Sequence, residues 1–180
     1  IHCTSGSVLI LILYILGYTL KEIKDYSIEL DMENVIYDKN NEDKIIDNLL
    51  LKKCFINYDK IKNILNKFIY NKTKKNDISF KELFDISGIN LIVNSYCLDD
   101  KKIIYFSSID TPNISVIKGM LSTIAIPIIL QPIIYDNKTY VDPGITRHID
   151  YDWFKDKKTN KLYIKYNKKE IIGILVNSIT

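Results

Sequence analysis

The sequence predicts an α/β domain, helices layered on a sheet, on three observations. Thr19-Leu20-Lys21-Glu22 and Ser79-Phe80-Lys81-Glu82 both have the pattern of a capping box. In it a hydroxyl and a carboxylate three residues apart satisfy each other's backbone N–H groups at a helix start. Apolar, β-branched stretches at 89–95 and 102–107 read as strands, with Asp99-Asp100 as the turn between them. The run 171–176 is continuously apolar, as in a strand buried on both faces. Helices alternating with such strands give a layered α/β domain. With 180 residues, 47% of them hydrophobic, and no internal repeat or linker, residues 1–180 read as one domain with a real core.

The elements follow in order. A helix is expected from Ser7 to about Leu16, stopping near Gly17. The capping box at Thr19 opens a second, and the polar stretch 38–44 is a loop. After Tyr58, the residues Ile61, Ile64, Leu65, Phe68 and Ile69 fall at helical spacing and give one apolar face, which the polar stretch 71–77 ends. The capping box at Ser79 opens a short helix ending near Gly88. Pro112 precedes a helix over about 115–124. Pro127 and Pro132 bracket an apolar run, and 138–141 is a short strand leading into Asp142.

Composition narrows the function. Net charge is +3, from lysines spread along the chain, and no basic stripe suggests a nucleic-acid partner. The lysine cluster at 155–169 reads as a solvated hairpin. Cys3, Cys54 and Cys97 form an odd, scattered set without ligand spacing; this is the pattern of free thiols in a reducing compartment, cytoplasmic or peripheral to membranes. No metal and no cofactor is expected. The nine apolar residues from Val8 to Leu16 fall well short of the roughly 20 that a membrane-spanning helix needs. Ile, Lys, Asn and Tyr are abundant while Ala125, Arg147 and Trp153 are each single, a skew that suits an AT-rich source.

Ile1-His2-Cys3-Thr4-Ser5-Gly6-Ser7 runs directly into the first apolar helix. A small-residue turn before such a helix reads as a nucleophile elbow, whose usual form is Gly-x-Ser-x-Gly. In the register that keeps Gly6, the first glycine is His2 and the serine is Thr4. Shifted by one, Ser5 is the nucleophile, and Cys3 and Ser7 occupy the glycine positions.

Further residues match in order and spacing: Ser79-Phe80-Lys81-Glu82-Leu83, Gly88-Ile89-Asn90-Leu91, Tyr105-Phe106-Ser107, Asp110-Thr111-Pro112 with Val116, residues 122–127, and Tyr140-Val141-Asp142-Pro143-Gly144. Together with Leu16-Gly17-Tyr18-Thr19 after the elbow helix, they resemble the patatin-like phospholipases over nearly the whole chain. The resemblance implies a three-layer fold with a central, largely parallel sheet between helices. It also implies a serine–aspartate dyad acting on lipid acyl esters at a membrane surface. The nucleophile position falls on Thr4, with Ser5 as the alternative, and the base on Asp142, within a motif whose usual form is Asp-Gly-Gly or Asp-Gly-Ala and which here reads Asp142-Pro143-Gly144. The family's oxyanion hole lies on a glycine-rich loop ahead of the elbow. The chain, which begins on Ile1, is thus expected to be a fragment truncated before that loop.

The departures from the motif have physical costs. Positive φ at a nucleophile is an outlier for a β-branched residue such as Thr4. His2 is bulky where a glycine allows close approach, and Pro143 fixes φ and removes an N–H. These changes point to a weakened or inactive site, and an inactive relative that binds lipid or a protein partner is the alternative reading. His148, in a polar stretch, reads as a surface residue rather than a base, Ser122 as a helix-end packing residue, and Cys3 as a small buried thiol. The oligomeric state is left open.

Overall fold

The structure, a computed structural model, describes residues 1–29 and 58–146. Cys54, Arg147, His148, Trp153, the loop at 38–44, the lysine cluster at 155–169 and the strand expected at 171–176 lie outside the described residues. The described elements are β1 (His2–Cys3), α1 (Ser7–Ile15), α2 (Leu20–Glu29), α3 (Asp59–Thr73), α4 (Phe80–Ser87), β2 (Ile92–Cys97), β3 (Lys102–Phe106), α5 (Val116–Thr123), β4 (Ile133–Tyr135), β5 (Lys138–Val141) and a 3-10 turn, Pro143–Ile145.

Helix α1 is rich in Val and Ile, which are mediocre helix formers because their χ1 is restricted against the preceding turn. Burial supports it instead: Val8, Ile12, Leu13 and Ile15 are buried, each such side chain contributing about 1.5–3 kcal/mol. The helix closes where the sequence indicates. Gly17, at φ +78°, takes the left-handed conformation; its N–H donates to Tyr14 O, and the N–H of Tyr18 donates to Leu13 O, both at 3.0 Å, the Schellman arrangement.

Both capping boxes form. The N–H of Glu22 donates to Thr19 Oγ1 and that of Thr19 to Glu22 Oε2, and the same exchange links Ser79 and Glu82. In α3 the apolar stripe Ile61, Leu65, Phe68 and Ile69 is buried. The Tyr18 hydroxyl donates to Phe68 O at 3.0 Å, tying α3 to the chain that follows α1.

The sheet is mixed among the described strands. β1 runs parallel to β2, while β3 and β5 run antiparallel to β2 and β4 antiparallel to β5. The antiparallel pairs come from tight connections. Asp136 and Asn137, at φ +49° and +55°, make the two-residue turn between β4 and β5, a conformation that Asp and Asn tolerate better than most residues. β4 was not anticipated, and β2 begins three residues later than the expected 89–95. Asn90, within that early stretch, directs its Oδ1 to the N–H and hydroxyl of Ser108 instead of entering the ladder.

One detail of register positions the site. Val93 pairs with both Cys3 and Phe106, and Tyr96 with both Ile103 and Val141. Since β3 occupies one edge of β2 along its length, β1 and β5 must share the other. β1 runs parallel to β2 and β5 antiparallel, so their C-terminal ends point at each other. They meet in the gap opposite Asn94 and Ser95.

Candidate active site

The residues that leave β1 and β5 at that gap are Thr4-Ser5 and Asp142. Ser5 has φ +55°, a left-handed conformation that costs a non-glycine residue about 1–2 kcal/mol. Its Oγ donates to Asp142 Oδ2 at 2.5 Å, within the short range of a hydroxyl on a carboxylate. Its backbone N–H donates to Thr123 Oγ1 at 2.8 Å. The turn closes as Ser7 Oγ donates to Thr4 O at 2.8 Å and the Val8 N–H to Ser5 O at 3.2 Å. Ser5 thus directly precedes Gly6, the N-cap of α1, where orphan N–H groups and the helix dipole favour negative charge.

Asp142 is buried, with 3% of its surface exposed. Its own N–H donates to Ala125 O at 2.9 Å, and its Oδ1 accepts the Gly144 N–H at 2.7 Å. The carboxylate is therefore oriented through one oxygen and offers the other to Ser5. A Cβ at Gly144 would stand 2.9 Å from Asp142 Oδ1, so the close approach of Gly144 is what leaves room for the carboxylate.

The sequence placed Thr4 at the nucleophile position, with Ser5 as the alternative, and the structure separates the two hydroxyls. Thr4 Oγ1 donates to Asn94 Oδ1 at 2.8 Å, and the hydroxyl against Asp142 belongs to Ser5, the alternative. Keeping Gly6 was a poor guide because Gly6 has φ −55°, which any residue adopts. The positive φ falls on Ser5, an unbranched residue, so the strain expected at Thr4 does not arise. At the glycine positions of the Ser5 register, Cys3 is small enough to be buried, its Sγ 3.7 Å from Ile92 O, and Ser7 begins α1 with its hydroxyl exposed.

The cost expected at Pro143 is absent too. Pro143 occupies the first position of the 3-10 turn capped by Asp142, where its missing N–H would have been an orphan anyway, and the N–H that orients the carboxylate belongs to Gly144. His2 lies edge-on to the Tyr105 ring, 6.0 Å between centroids. Burial pushes the Cys3 thiol up to about 12, which keeps it protonated and unreactive.

Three neighbours of the Ser5–Asp142 pair escaped the sequence reading: Asn94, Ser95 and Thr123. All three are buried. Ser95 Oγ lies 3.0 Å from Ser122 O and 2.9 Å from Val141 O, so its single proton serves both carbonyls. The signal that could have exposed two of them is the polar pair Asn94-Ser95 inside an otherwise apolar strand. Ser122, read as a helix-end residue, donates to Gly119 O. Ile126, Ile128, Ile129 and Ile145 are exposed, the first three just after Ala125 and the last in the turn after Asp142. Among the described residues no group of His, Cys, Asp or Glu is placed to hold a metal ion, and no helix is long and apolar enough to cross a membrane.

Comparison with known proteins gives the same family as the motifs. The family model described as patatin-like phospholipase matches residues 4–152, a span that contains Ser5, Thr123 and Asp142. An uncharacterized protein of Acanthamoeba polyphaga mimivirus is 27% identical over 151 residues, 84% of this chain and 48% of that protein. A probable lipid hydrolase of Invertebrate iridescent virus 6 is 31% identical over 93 residues, 52% of this chain and 29% of that protein. The chain thus matches half or less of the length of these relatives.

Proposed function

Because the chain belongs to the patatin-like phospholipase family, we propose that it hydrolyses lipid acyl esters, with Ser5 as nucleophile and Asp142 as general base. The observation that carries this reading is the Ser5 Oγ to Asp142 Oδ2 hydrogen bond of 2.5 Å, which meets the first demand on a general base, reach to the proton it removes. As Oγ attacks the ester carbonyl, its proton passes to Asp142 Oδ2. The oxyanion forms near the N-terminus of α1, where the helix dipole opposes its charge. Collapse of the tetrahedral intermediate expels the alcohol, which takes the proton back from Asp142. Water then gives a proton to Asp142 as it attacks the acyl carbon, and the Ser5 oxygen takes that proton back as it leaves, releasing the fatty acid. The proposed dyad calls on no histidine, so His148→Ala is expected to leave turnover within a few-fold of the parent.

The exposed Ile126, Ile128, Ile129 and Ile145, on the segments that follow Ala125 and Asp142, support an acyl chain as substrate and action at a lipid surface. Ile128 in particular combines exposure with φ +74°, a strained conformation for a β-branched residue. An inactive, lipid-binding relative loses its main support once Thr4 and Pro143 no longer weigh on the dyad. The deciding assay is hydrolysis of a soluble short-chain ester and of phospholipid vesicles. Ser5→Ala abolishes both activities while Thr4→Ala retains them. A folded parent that binds vesicles and hydrolyses neither substrate would favour the inactive reading.

A further inference from the structure

We infer that Thr123, at the last position of α5, is a positioning residue that holds the elbow in its strained shape. The inference rests on the proposed role of Ser5. Thr123 is fully buried, and its Oγ1 accepts the Ser5 N–H at 2.8 Å across 118 residues of chain. That N–H belongs to the residue at φ +55°, so the bond acts directly on the dihedral that sets where Ser5 Oγ points. A left-handed residue persists only where its surroundings over-determine it, and here the tie comes from α5.

The same end of α5 holds the other half of the site. Ala125 O accepts the Asp142 N–H, while Ser122 O and Val141 O share the hydroxyl of Ser95. Residues 122–125 therefore fasten the end of β5, the adjoining strand β2 and the elbow together. The separation of Ser5 and Asp142 is set by this helix end as much as by the sheet. Within the clamp, Thr123 is the residue whose side chain makes the contact to the nucleophile. Val keeps its β-branched shape and removes the acceptor, whereas Ser keeps the acceptor and removes a methyl.

The test uses two readouts on the whole protein. Amide hydrogen exchange reports the bond itself: the Ser5 N–H is protected in the parent and in Thr123→Ser, and exchanges at least about tenfold faster in Thr123→Val, while core amides such as Val93 keep their protection. Reaction of Ser5 with a fluorophosphonate, together with kcat and KM on a soluble ester, reports positioning. Thr123→Val slows labelling and kcat by about 10- to 100-fold with KM within about threefold, and Thr123→Ser restores both to within a few-fold. Unchanged Ser5 exchange in Thr123→Val would overturn the inference, as would equal loss in the Val and Ser variants, the mark of packing alone. If the parent shows the Thr123-dependent protection but never labels Ser5, the clamp stands and the hydrolase reading fails.

Discussion

The two halves of the site are held in different ways. Asp142 sits in an ordinary backbone conformation, φ −56° and ψ 125°, and its carboxylate is oriented by the N–H two residues along. Ser5 sits at positive φ, and its amide and hydroxyl are engaged by residues 118 and 137 positions away. The Asp142 carboxylate is thus oriented by its own turn, while the Ser5 amide and hydroxyl are held by the tertiary fold. A local turn survives substitution as long as the one essential N–H remains, and here that N–H belongs to Gly144, not to position 143. A strained elbow depends on distant partners, which makes the Ser5 side the more fragile half.

That contrast can be broken or sharpened by substitution. Asp142→Asn removes the proton acceptor without changing the side chain's shape, and ester hydrolysis should fall by about 10³-fold or more, on the scale of losing an essential base. Gly144→Ala pushes a methyl into Asp142 Oδ1, and an expected loss of about 10-fold or more in kcat, with the fold retained by circular dichroism, would show that the base turn has one vulnerable point. Pro143→Gly should leave activity within about threefold while lowering stability in denaturant by about 0.4–1 kcal/mol, because glycine enlarges the unfolded ensemble. A large gain in activity from this variant would restore the idea that Pro143 weakens the site.

The smallest effect lies away from the site. Glu82 is held down to about 2 by the Lys75 ammonium and the Ser79 N–H, against an ordinary 4.5. A depressed carboxylate contributes stability that is present above its unfolded value and lost as pH falls through the folded one. The stability gap between the parent and Glu82→Ala should therefore be steady above pH 4.5 and close between 4.5 and about 2.

Much of the fold was legible in the sequence because local rules and tertiary demand agree there. Both capping boxes, the glycine stops at Gly17 and Gly88, and the apolar stripe of α3 were read at the right residues. β4 was missed because three residues beside a proline carry little pattern. The sharing of one β2 edge by β1 and β5 was invisible for a different reason, since it is a relation among three strands distant in sequence. At the site, the motif pointed to Asp142, while the register that keeps Gly6 put Thr4 where the structure has the Ser5 hydroxyl against Asp142. Glycine was taken as the marker of the turn, but the quantity that matters is which residue takes positive φ and which hydroxyl reaches the carboxylate. Thr123 gave no local signal, because its partner lies 118 residues away.

The central claim, that Ser5 and not Thr4 is the nucleophile paired with Asp142, is tested most directly by mapping the residue that a fluorophosphonate modifies. The phosphonyl adduct is expected on Ser5, absent from Ser5→Ala, strongly slowed in Asp142→Asn and still formed in Thr4→Ala. An adduct on Thr4, or labelling that survives Ser5→Ala and is lost in Thr4→Ala, would contradict it.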